Sequence, residues 1–70
     1  MNEFIQVGKE THYVTEAGAK LAIIEKVKTK FKIQVKNKDG KFVFIKNSFA
    51  LKMDAKKHVE KLNSNKKLLH

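Results

Sequence analysis

The sequence predicts a small α+β domain: an antiparallel curved sheet of three to five strands followed by one C-terminal helix. Three observations carry this. Between Lys26 and Lys38 the even-numbered positions are lysine except Gln34, and they alternate with Val27, Phe31, Ile33 and Val35 at the period of a β-strand. The motif "NKDG" at 37–40 separates two β-rich runs, as a hairpin loop does. Beyond it, Leu51, Ala55, His58 or Val59, and Leu62 recur at helical spacing. The chain divides accordingly into a segment 1–18, a sheet over 20–47, a helix over 49–63 and a tail over 64–70.

In segment 1–18, "EFIQV" and "THYV" are short β-type runs separated by "GKE", compatible with a hairpin or with an irregular arm. "GAKLAIIEKVK" fits a helix through Ala17, Leu21 and Ile24, or a strand through Leu21, Ile23 and Val27. The strand is preferred because the alternation that follows continues it. "FKIQVKNKDGKFVFIKN" is a hairpin, with Gly40 free to take the positive φ of a three-residue loop with a bulge. Asn37 then pairs with Lys41, Val35 with Val43 and Ile33 with Ile45. On the other face Lys36 meets Phe42, Gln34 meets Phe44 and Lys32 meets Lys46. A two- or four-residue loop would exchange the faces and put Phe42 and Phe44 in the core, and ring burial tilts the expectation that way. Ser48 or Asp54 is placed to cap the helix, and Asn63-Ser64-Asn65 marks its end. The ending "KKLLH" is expected to be a frayed tail.

Charge is the most informative bulk property. Residues 1–25 carry two lysines against four glutamates, a net −2, whereas residues 26–70 carry fourteen lysines against three carboxylates, a net +11. Such a concentrated field favours a polyanionic partner. Every basic residue is lysine and none is arginine, which points to phosphate contacts rather than bidentate reading of guanine. AT-rich codon usage explains the missing arginine, but not the alternation. The candidate nucleic-acid-binding residues are therefore Lys26, Lys28, Lys30, Lys32, Lys36, Lys38, Lys41 and Lys46.

Little points to catalysis. Cysteine is absent, and His12, His58 and His70 are scattered with no H-x-x-x-H pair, so no metal site and no cofactor is expected. "GK" at 8–9 and "GAK" at 18–20 lack phosphate-loop spacing and read as turns. Neither Ser48 nor Ser64 sits in a nucleophile elbow. "MNEFIQVGKE" has no leader pattern, and "LAII" and "FVFI" are too short to cross a bilayer, so a cytoplasmic, non-enzymatic protein is expected.

The stretch Lys38-Asp39-Gly40-Lys41, followed by Phe49, Lys52, Ala55, His58-Val59 and Leu62, resembles the amino-terminal arm-binding domain of phage and transposon tyrosine recombinases. That family lays a three-stranded sheet in the DNA major groove and backs it with the helix. The resemblance implies a DNA-facing row of Lys28, Lys30, Lys32 and Lys36, in a free-standing relative or a fragment. Leu51 stands where the family usually has a capping threonine. The chain is also similar to small Src-homology-type (SH3-like) barrels, through Gly18 to Ile24, Asp39-Gly40-Lys41, Phe44-Ile45 and Ser48-Phe49 before Leu51. That likeness implies a barrel that uses the N-terminal strands and binds nucleic acid, peptide or protein.

The functional expectation is a nucleic-acid-binding module from a phage or other mobile element, with DNA preferred over RNA. The alternative is a protein-interaction module or inhibitor that docks its basic face on an acidic partner. A third reading makes the lysines guards of exposed strand edges.

Overall fold

The structure, a computed structural model, describes residues 2–68. Strands β1 (Glu3–Val7), β2 (Glu10–Val14), β3 (Lys20–Val27), β4 (Lys30–Lys36) and β5 (Phe42–Phe49) precede the helix α1 (Lys52–Ser64). Each strand pairs antiparallel with the next in the order β1-β2-β3-β4-β5, giving an unclosed sheet with β1 and β5 at its edges. This is the α+β architecture expected. The N-terminal segment is a hairpin and not an arm: Val7 pairs with Glu10 around Gly8–Lys9, and Gly8 takes φ +62°. "LAII" is a strand at the middle of the sheet, buried along its whole run from Leu21 to Ile24.

The lysine alternation is not one row. A two-residue turn, Lys28–Thr29, interrupts it, with Val27 paired to Lys30 and Lys28 itself at φ +59°. Such a turn pairs even positions of β3 with odd positions of β4, so Ile24 faces Ile33 and Lys26 faces Phe31. The even-numbered lysines therefore change face: Lys26 lies on the side of Ile24 and Phe31, whereas Lys30, Lys32 and Lys36 lie on the other.

The β4–β5 hairpin has the three-residue loop read from "NKDG". Asn37 N–H donates to the Lys41 carbonyl (2.8 Å), Gly40 N–H donates to the Asn37 carbonyl (3.0 Å), and Gly40 sits at φ +80°. The Asn37 side-chain oxygen also accepts from the amides of Asp39 and Lys41, which pins the loop. Lys36–Phe42, Val35–Val43 and Gln34–Phe44 pair as expected. The register then shifts between Gln34 and Lys32, so Lys32 faces Ser48 and Phe31 faces Phe49. The expected Lys32–Lys46 pair does not form. The core placement favoured for the two rings is also overturned, because the loop length puts Phe42 and Phe44 on the face away from the helix, and Phe44 is 53% exposed.

Helix α1 covers the other face. Tyr13, Leu21, Ala22, Ile24 and Ile33 pack with Ala55 and Val59, and Phe4, Phe31, Val35, Ile45, Phe49 and Leu62 border them. The His58 ring rests on Phe49, 5.3 Å between centroids. Each fully buried aliphatic side chain contributes about 1.5–3 kcal/mol, so this face supplies most of the stability of so short a chain.

The helix begins at Lys52, later than expected, because β5 runs on through Ser48 and Phe49. Its N-cap is Leu51, with extended backbone and no side-chain cap; neither Ser48 nor Asp54 caps it, and Leu51 lies outside the core. The C-terminus departs further from expectation. Lys66 adopts φ +57°, its amide donates to the Asn63 carbonyl, and the Lys67 amide donates to the Leu62 carbonyl. These two bonds make a Schellman motif, which reverses the chain and buries Leu68 at 3% exposure. The segment read as a frayed tail is thus anchored in the core by Leu68, with Lys66 and Lys67 exposed, while Leu69 and His70 lie outside the described residues.

Candidate nucleic-acid interface

The helix-free face carries two unlike halves. On the β1–β3 side stand Glu3, Glu10 and Glu25 with Ile5, His12, Val14 and Ile23. On the β4–β5 side stand Lys30, Lys32 and Lys36 with Phe42 and Phe44. The Lys32 ammonium lies 5.9 Å from the centre of the Phe44 ring, within cation–π range. Glu25 faces Lys32 across the ladder, yet its Oε1 accepts a 3.0 Å hydrogen bond from Gln34 Nε2. Glu10 Oε1 lies 2.9 Å from His12 Nε2, and no carboxylate lies within ion-pair distance of Lys30, Lys32 or Lys36 among the described residues. The lysine charges on β4 are therefore free to meet an external anion.

The other sequence candidates divide between this half-face and a second place. Lys38 and Lys41 are exposed in the hairpin loop at the far end of β4 and extend the half-face lengthwise. Lys46 is exposed in β5 within the stretch where the register shifts. Lys26 and Lys28 are not part of this group.

Lys26 and Lys28 line a cleft of about 540 Å³ on the helix side, together with Lys9 and Lys52. Strand order explains the convergence. In a meander the β1–β2 turn, the β3–β4 turn and the end of β5 all fall at one end of the sheet, so Lys9, Lys28 and the first helical residue, Lys52, arrive there from distant parts of the chain. Ile24 and Phe31 supply an apolar wall, and Lys26 Nζ lies 6.0 Å from the Phe31 ring centre. Gln6 ties the walls together: its Oε1 accepts from Thr11 Oγ1 (2.9 Å) and from Lys52 Nζ, while its Nε2 donates to the Gly8 carbonyl (2.8 Å). Among the described residues no carboxylate lines the cleft.

The sequence does not single out Lys9 and Phe31 as functional, and it marks Lys52 only as one of the helix lysines, with Lys56, Lys57 and Lys61, that could add to phosphate binding. "GK" at 8–9 was legible as a turn and Lys52 as a residue off the apolar stripe, but only the order of strands joins them. No family model, curated protein or solved structure matches the chain. Among the described residues no helix is long and apolar enough to cross a membrane, and no group of three or more His, Cys, Asp or Glu side chains comes together.

Proposed function

We propose that this protein is a non-enzymatic DNA-binding module that holds single-stranded DNA along the β4–β5 half of its helix-free face. The observation that carries the reading is Phe44, a large ring left 53% exposed beside the unpaired ammonium of Lys32. An exposed ring next to an ammonium group offers a face on which a base can stack. Lysines interleaved with phenylalanines suit a strand whose phosphates meet the ammonium groups while its bases stack on the rings. Phe42 opposite Lys36 repeats the combination one step along the ladder. The rings favour unpaired bases over an acidic protein surface, which would need the charges but not stacking platforms.

Fluorescence anisotropy with a labelled oligothymidylate tests this. Phe44→Ala should weaken binding by about 1–3 kcal/mol, roughly 5- to 150-fold, without changing the fold. Equal affinity of Phe44→Ala and parent would overturn the reading. So would failure of the parent to bind any oligonucleotide alongside capture of one acidic protein, which would favour the interaction-module alternative.

A further inference from the structure

A second basic concavity lies on the opposite side of the sheet. We infer that it takes a phosphorylated ligand of nucleotide size, with the phosphoryl groups among Lys9, Lys26, Lys28 and Lys52 and the apolar part against Ile24 and Phe31.

Four features support the inference. Four lysines from the β1–β2 turn, β3, the β3–β4 turn and α1 converge on one concavity with no carboxylate in its lining among the described residues. Like charges repel, so such a gathering is stabilised when an anion sits among them. The volume, about 540 Å³, lies in the range of small-molecule sites and far exceeds a single ion. Gln6 links β1, β2 and the start of α1 through its bonds with Thr11 and Lys52, which brings the walls of the cleft together. Finally, α1 presents its N-terminal end at Lys52 with no side chain capping it, which adds the positive end of the helix dipole to the same field. Ile24 is fully buried behind the cleft floor and Phe31 half-buried, so the Phe31 ring is the accessible non-polar surface for a base or sugar and provides no hydrogen-bond selection among bases.

The same phosphate chemistry is available from a free nucleotide or from the 5′-phosphate at the end of a strand. The site is separable from the β4–β5 surface because it lies on the other face and needs no single strand. NMR titration of the full chain with ATP, adenosine and pyrophosphate tests it. ATP and pyrophosphate should shift the Ile24 methyls and the amides of Lys9 and Lys28 saturably, with ATP bound about tenfold or more tightly than adenosine. Lys9→Gln combined with Lys28→Asn should weaken ATP about tenfold, since Asn tolerates positive φ and both residues sit in exposed turns. Lys26→Gln, outside the turns, gives an independent second variant and should weaken ATP likewise. Lys32→Gln with Lys36→Gln should leave ATP binding within about twofold, whatever it does to oligonucleotide binding.

Comparing a 5′-phosphorylated oligothymidylate with its 5′-hydroxyl form identifies the source. Cleft shifts stronger with the phosphorylated strand than with ATP assign the site to strand ends, and the reverse assigns it to free nucleotides. Absence of saturable shifts at the cleft would overturn the inference. So would equal binding of ATP and adenosine, or ATP shifts spread evenly over all exposed lysines.

Discussion

Ile33 and Lys32 are adjacent in β4, but Ile33 is 0% exposed beneath α1 and Lys32 stands on the helix-free face beside Phe44. The contrast belongs to β4 and β5, where the covered face packs against Ala55 and Val59 and the free face leaves Lys32 and Phe44 in water; in β2 and β3 both faces are buried, His12, Val14 and Ile23 included. Stability and recognition are thus assigned to alternate residues of the same strands, so a substitution on one face should leave the property of the other almost untouched. A domain of this length has only a few kcal/mol to lose, which makes the contrast measurable.

The largest effect is expected at Ile33. Ile33→Ala should cost about 2–5 kcal/mol in urea denaturation, enough to unfold much of the population, while Lys32→Ala stays within about 0.5 kcal/mol of the parent. Comparable losses would break the division between faces. Leu68→Ala comes next, at about 2 kcal/mol, the low end for a buried leucine because it lies past the helix near the chain end. A neutral result there would return the C-terminal segment to the status of a tail. On the free face the readout is binding. Lys32→Gln should reduce the slope of log K for oligothymidylate against log salt by about 0.7, and exposed Lys57→Gln on α1 should leave it unchanged. If both changed it alike, the field of the whole molecule, and not one half-face, would govern affinity.

The smallest effects concern backbone at two turns. Lys28 (φ +59°) and Lys66 (φ +57°) occupy left-handed positions that glycine fills without strain, as Gly8 does in the β1–β2 turn. Lys66→Gly and Lys28→Gly should each raise stability by about 0.5–1 kcal/mol, net of the greater freedom glycine has when unfolded. The two gains should add, because the sites lie in separate turns. Lys28→Gly should also weaken ATP at the cleft while leaving oligothymidylate binding to β4–β5 close to the parent.

Much of this was legible along the chain. The alternation in "FKIQVK", the "NKDG" loop with Gly40 at positive φ, and the stripe of Ala55, Val59 and Leu62 each depend on residues a few positions apart, and each formed as read, except that Leu51, read as the first member of the stripe, is exposed. The three-residue loop was one of the alternatives the sequence left open, and it puts Phe44 on the helix-free face, against the core placement the reading favoured. The irregularity further along the ladder could not be read. It moves Lys32 from Lys46 to Ser48, and no turn residue announces it. The end at "KKLLH" misled because a Schellman reversal usually shows a glycine, and here a lysine takes its place.

By itself, then, the sequence determined the kinds of element, the order in which they occur, the one well-marked loop and the sign of the field, since period, turn chemistry and charge are properties of short stretches. Tertiary structure decided how the lysines are grouped. A two-residue turn at Lys28–Thr29 flips parity between β3 and β4, so Lys26 parts from Lys30, Lys32 and Lys36 although their spacing is uniform. The meander then brings Lys9 and Lys52, 43 positions apart, to the same end of the sheet, where they share a cleft with Lys26 and Lys28. Pairing parity and strand order belong to pairs of strands and not to either one alone, and for that reason the grouping appears only once the chain is folded.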